Sequence, residues 1–169
     1  MKIYINPGHS NNPDTGNTEK NINKTIADKL MKYLRDSNHE VASLYFLNPN
    51  DVPNSSNSYD VDIFLCLECN ASSNITDSGI ETIIYNGSTE GMLLASCINY
   101  HIAATIPVHS HGIKSISNNV LRNTKAYAAI VKLGYITNEH DVRMLTNEQF
   151  QDKFARAIAN GINAYIAAK

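Results

Sequence analysis

The chain has 169 residues, 43% of them hydrophobic and 18% charged, with a formal net charge of −2. That is the size of one domain, able to bury roughly 70% of its unfolded surface without a disulfide or metal as a staple. An isoelectric point near 6.3 with no basic cluster excludes a nucleic-acid footprint, and no apolar run approaches the ~18 residues that cross a bilayer.

Residues 3–6 read as a short buried strand, which Asn6-Pro7-Gly8 ends and turns, delivering His9 just past its carboxyl end. Residues 10–18 are a polar loop. Glu19, behind a Thr18 cap, opens a helix to about Leu34, with Ile22, Ile26, Leu30 and Leu34 on one face beside Ala27 and Met31. Residues 40–46 read as a second strand. Residues 47–61, with Pro49 and Pro53, form a loop longer than most connections. Residues 62–68 are nearly all apolar, as suits a central strand covered on both faces.

After a polar loop over 70–78, Gly79–Tyr85 is a strand with Glu81 as its one charge. Residues 89–104 fit a helix with Met92, Leu93, Ile98 and Ile102 inside. His109-Ser110-His111-Gly112 falls in the next loop, Val120-Leu121-Arg122 is a short strand or extended segment, and 128–133 is the last strand. Asn138 caps a short helix through Leu145. Thr146-Asn147-Glu148-Gln149 is a capping box for a final helix carrying Phe150, Phe154, Ile158, Ile162 and Ile166. Strands alternating with helices predict an α/β fold in a single domain over 1–169, with a twisted, mostly parallel or mixed sheet flanked by helices.

Two apolar strands end on charges: Ile63–Leu67 runs into Glu68, and Ala128–Val131 into Lys132. Charged residues are almost never fully buried unless paired. Together with His9 they place three ionisable groups at the same kind of strand end, where open α/β sheets keep their sites. His9, Glu19 and Glu68 suit a divalent metal such as zinc, or are three unrelated polar residues at loop edges. Cys66 and Cys69 have the spacing of a metal pair, but on a strand they point to opposite faces, which favours small buried hydrophobes. His109 and His111 could rebuild a metal site from the loop side; His39, His101 and His140 are left over. The chain opens on a strand with no charged and apolar leader, so synthesis in the cytoplasm is expected, with release by other means if it acts outside.

Several segments, in this order, resemble the catalytic domain of the zinc-dependent N-acetylmuramoyl-L-alanine amidases, which are cell-wall hydrolases. They are Ile5-Asn6-Pro7-Gly8-His9, Glu19 with Ile22 and Ile26, Phe64 through Ala71, Gly79-Ile80-Glu81-Thr82, Val120-Leu121-Arg122, and Val131 through Asn138. The resemblance covers nearly the whole chain. It implies His9 and Glu19 as zinc ligands, Glu68 where the family has a second ligand His, and Lys132 where it has the catalytic Glu. It also implies Arg122 and Asn70 as substrate contacts. An ammonium cannot serve as the base that activates a metal-bound water. The expectation is therefore zinc binding that is weak or absent, and an amidase-like module that binds peptidoglycan, its stem peptide or a protein partner without cutting. The alternative is an active hydrolase of the bond between the muramoyl group and L-alanine. The absent leader would suit a phage or lysis-associated protein. If Lys132 replaces the metal's charge, its ammonium should lie within ~4 Å of Glu68, Glu19 or both.

Overall fold

The computed structural model describes residues 1–45 and 47–169; Phe46, the last residue of the predicted second strand, lies outside the described residues. In chain order the elements are β1 (Lys2–Pro7), α1 (Gly16–Asp36), β2 (Glu40–Ala42), α2 (Val52–Ser58), β3 (Ile63–Asn70), β4 (Ile80–Tyr85), α3 (Thr89–Thr105), β5 (Ser110–Ile116), α4 (Asn119–Asn123), β6 (Tyr127–Tyr135), α5 (Glu139–Leu145) and α6 (Glu148–Ala167). The strands form one mixed sheet in the order β2-β1-β3-β6-β4-β5. Every neighbouring pair is parallel except β4 with β6. This is the α/β domain the sequence predicts.

Alternation along the strands sorts two cores. Ile3, Ile5, Ile63, Leu65, Leu67, Ala129, Val131 and Leu133 join the larger one, beneath α1, α3 and α6. Tyr4, Phe64, Cys66, Ala128 and Ile130 join a smaller one with Val52 of α2 and Leu121 of α4. Cys66 and Cys69 thus pack on opposite faces as free, buried thiols, not as a ligand pair.

The structure differs from the sequence reading at several places. Helix α1 begins at Gly16, and Thr18 lies within its first turn. Asn12 Oδ1 accepts the Asp14 and Thr15 amides, and the Asn12 carbonyl accepts the Gly16 amide, so the preceding loop itself starts the helix. The second strand stops at Ala42. Residues 52–58, read as loop, form α2. Residues 110–116, read as starting in a loop, are the edge strand β5, and 119–123 is the helical turn α4 rather than a strand. On α3, Met92 and Leu93 are 42% and 39% exposed, while Leu94 and Ala95 are buried with Ile98 and Ile102. The cap of α6 is Asn147 and not Thr146: its Oδ1 accepts the Gln149 and Phe150 amides. Strands β3 and β6 continue past Glu68 and Lys132, which are interior positions of the ladder.

Helices α3 and α6 cross at Gly161, where an added Cβ would sit 2.5 Å from Ile98 Cα and 3.0 Å from the Cys97 carbonyl oxygen. Both obstacles are backbone, so no rotamer change relieves the clash. Gly161→Ala is therefore expected to lower stability in urea unfolding by about 1–3 kcal/mol, as overpacking does. An unchanged unfolding midpoint would show that the two helices separate freely.

Candidate functional site

Strands β3 and β6 each carry a charged residue just past their apolar stretch of the smaller core. On β3, Phe64 and Cys66 are followed by Glu68; on β6, Ala128 and Ile130 by Lys132. The parallel register sets Glu68 opposite Lys132. On the other side of β6 the antiparallel register sets Glu81 of β4 opposite the same lysine. Lys114 of β5 reaches back to Glu81, with Nζ 2.5 Å from Oε2. The result is a row of alternating charge, Glu68–Lys132–Glu81–Lys114, across four strands.

The Lys132 ammonium donates to Glu68 Oε2 at 2.6 Å, with side chains 17% and 30% exposed. The expected charge pairing therefore forms, and it forms with Glu68. Burial works against the ammonium, but the charge and hydrogen bond of Glu68 outweigh it, and the lysine pKa lies above its usual value. The Cys66 thiol donates to the other oxygen of Glu68 at 3.3 Å. Burial, and then the nearby Glu68 charge, push that thiol's pKa well up, so Cys66 is no nucleophile.

Glu19 projects from the first turn of α1 and is only 6% exposed; its Oε1 accepts the Cys69 amide at 3.1 Å. That bond ties α1 to the end of β3, where the ladder bulges between Glu68 and Asn70. The turn bearing His9 is held from two sides: the Gly8 amide donates to the Leu67 carbonyl at 2.8 Å, and Asn23 Nδ2 donates to the Gly8 carbonyl at 2.8 Å. Gly8 is required there, because a Cβ would meet Glu68 Cγ at 2.6 Å.

His9, Glu19, Glu68, Asn70 and Lys132 all line one cleft of ≈340 Å³, together with Ser10, Thr15 and Ile136. Sharing a cleft is not the same as converging on one point. Among the described residues, no three His, Cys, Asp or Glu side chains stand in a metal-holding arrangement. Asn70 donates its side-chain amide to Glu81 Oε1 at 2.9 Å. Burial opposes the Glu81 carboxylate, but Asn70 and Lys114 outweigh it and hold its pKa below the usual range. Arg122 stands outside the cleft, exposed on α4, with its guanidinium on Ser117 Oγ at 2.6 Å.

His109 and His111 pack ring edge to face at 4.7 Å, and His111 Nε2 donates to the Ser78 carbonyl at 2.8 Å. Neither lines the cleft. His39 bonds Asn163, and His101 packs edge to face on Tyr100. Sequence reasoning did not find Asn23 or Lys114. Glu81 did give a signal, as a lone carboxylate inside an apolar strand.

The family model described as N-acetylmuramoyl-L-alanine amidase matches residues 3–164. The uncharacterized protein YqiI of Bacillus subtilis is 28% identical over 174 residues, covering 96% of this chain and 84% of that protein. The N-acetylmuramoyl-L-alanine amidase LytC of the same organism is 27% identical over 175 residues, and there the chain spans only 35% of the relative's length. The crystal structure of an N-acetylmuramoyl-L-alanine amidase from Clostridium difficile 630 superimposes with a TM-score of 0.89 at 26% identity, covering 100% of this chain and 98% of that one.

The half-buried Lys132–Glu68 pair generates a stability prediction. Lys132→Met strands the Glu68 carboxylate and should cost about 2–3 kcal/mol, between an exposed pair and a fully buried one. Because the folded-state pKa of Lys132 is raised, the pair's contribution is complete at neutral pH. It is lost only as pH rises above ~10.4, through the folded value. Urea unfolding of wild type and Lys132→Met should differ by a constant amount from neutral pH to about pH 9, and converge in stronger alkali. A difference that vanishes near neutrality would show that the ammonium is not engaged.

Proposed function

We propose, for a chain that belongs to the N-acetylmuramoyl-L-alanine amidase family, that it keeps the family's wall-directed cleft and has lost its hydrolysis. It would act as a module that binds peptidoglycan, through the stem peptide, or a protein partner at the wall. The observation that carries this reading is the 2.6 Å ion pair between Lys132 and Glu68. The resemblance puts a ligand histidine at position 68 and a catalytic carboxylate at position 132. A carboxylate and an ammonium stand there instead, and each satisfies the other.

Zinc does not fit the residues present. Of the ligand set implied by resemblance, His9 and Glu19 are in place, but the third position is a carboxylate already bound to a cation of the chain. A metal on Glu68 would sit within a few ångströms of that ammonium, and the two positive charges would repel. Glu81, the other neighbour of Lys132 in the ladder, is engaged by Asn70 and Lys114. We therefore derive no hydrolytic step for this chain.

What remains fits recognition. The cleft offers the Asn70 and Ser10 side chains, the edge of Ile136 and the turn at His9 to an extended peptide. Among the described residues no helix is long and apolar enough to cross a membrane.

Purified wild type is expected to sediment with isolated peptidoglycan and to release no soluble stem peptide from walls of several types. The pair Glu68→His with Lys132→Glu should restore metal binding first and turnover second. Glu68→His alone should restore neither, since it keeps the cation, and Lys132→Glu alone should not restore turnover, since a carboxylate still stands where the resemblance puts a ligand histidine. Wall turnover by the unmodified chain, abolished by His9→Ala, would refute this reading.

A further inference from the structure

The cleft is lined by two carboxylates and an imidazole, Glu68, Glu19 and His9, and by one side chain with a fixed positive charge, Lys132. We infer that the Lys132 ammonium is a built-in counter-cation that keeps divalent metal out of this cleft, and that removing this single charge turns His9, Glu19 and Glu68 into a divalent-cation site. The inference rests on the site reading proposed above and deepens it. The exclusion becomes a property of one residue rather than of a ruined ligand set.

Three observations carry it. First, the ammonium is in the right place. Its Nζ lies 2.6 Å from Glu68 Oε2, and the Glu19 charge also acts on it. Second, the Glu19 carboxylate and the backbone turn that carries His9 are positioned independently of Lys132. Glu19 is fixed by the Cys69 amide at 3.1 Å, and the turn carrying His9 is fixed through Gly8 by the Leu67 carbonyl and by Asn23. Removing Lys132 leaves both supports intact. Third, Glu68 is the donor able to move. It is 30% exposed, and the ammonium is its short-range partner, with only a longer bond from the Cys66 thiol besides. Without the ammonium, two carboxylates line a cleft whose other described lining side chains carry no fixed positive charge, and each raises the free energy of the other's charged form. A divalent ion relieves that repulsion, and one nitrogen with two oxygen donors at roughly 2.0–2.2 Å is a ligand set that zinc accepts.

The size of the effect follows from Coulomb's law. A unit charge a few ångströms from a divalent ion, at the dielectric of a half-buried site, changes its affinity by on the order of 100-fold or more.

The test is zinc binding, read by calorimetry and by metal content after gel filtration, on the whole chain. Lys132→Met should bind one zinc with affinity on the order of 100-fold or more above wild type, and its thermal midpoint should rise with added zinc while that of wild type does not. Lys132→Arg keeps the charge and should stay as insensitive as wild type. The gain should disappear in Lys132→Met/His9→Ala and in Lys132→Met/Glu19→Gln. Equal zinc affinity in wild type and Lys132→Met overturns the inference, and so does a gain that survives both second changes. If Lys132→Met does not fold alone, refolding with zinc decides: recovery supports the inference and failure to recover counts against it. The two readings fail differently. Stoichiometric, chelator-resistant zinc on wild type overturns the proposed function as well. A metal-free wild type with an indifferent Lys132→Met overturns only the counter-cation.

Discussion

Strands β3 and β6 run parallel, with Ile63 opposite Tyr127 and Glu68 opposite Lys132, and this register governs both the core and the cleft. Successive side chains leave a strand on opposite faces, so one choice of register assigns every residue of both strands. As paired, Leu65, Leu67, Ala129 and Val131 enter the larger core. Glu68 and Lys132 fall on the opposite face, just beyond the smaller one. A slip of one residue would set Lys132 against a leucine and turn it under α1, α3 and α6. An unpaired ammonium there would face an effective penalty of several kcal/mol. The ion pair and the apolar columns therefore specify the same alignment, each excluding the alternative the other would tolerate. The antiparallel β4 adds Glu81 on the far side of Lys132, which extends the polar row without disturbing either core.

Elements with a clear hydrophobic period were legible in the sequence. Helix α1 buries Ile22, Ile26, Leu30 and Leu34, and α6 buries Phe154, Ile158 and Ile162, as their spacing requires. Elements that bury little were not. Helix α2 buries Val52, Pro53 and Ser56 in seven residues rich in Asn and Ser, and α4 buries only Leu121. Strand β5 sits at the sheet edge, where pairing on one side lets His111 and Lys114 occupy strand positions that pattern reasoning assigns to loops. On α3 the run Met92-Leu93-Leu94-Ala95 offers an apolar residue on nearly every side. The choice of face was made instead by the close approach of Gly161 to Ile98 and Cys97.

The cleft was legible as a set of residues and illegible as a set of contacts. His9, Glu19, Glu68, Asn70 and Lys132 stand out as ionisable or polar groups at strand and helix ends, and the structure gathers them in one place. Arg122 stood out by position in a motif alone, and it lies elsewhere. The ends of β3 and β6 were read too early because a charge looks like the end of an apolar strand. The ladder continues because the two charges, 64 residues apart in sequence, cancel across it. Cancellation between distant residues leaves no local signal. It became predictable only when Glu68 and Lys132 were considered as a pair.

The same geometry leaves positions 68 and 132 free of the packing that holds the fold together. The large core draws on residues that end at Leu67, Cys69 and Leu133, and the smaller one at Cys66 and Ile130. The positions at 68 and 132 lie past the last apolar layer of their own face. They contribute to stability mainly through each other. Substituting one of them leaves a stranded charge, whereas substituting both in a matched way leaves the packing beneath untouched. Exchange at such a pair is constrained by charge balance far more than by shape. Glu19, whose Oε1 accepts the Cys69 amide, shares the cleft with both members of that pair, so any exchange at 68 or 132 also changes the charge that Glu19 faces.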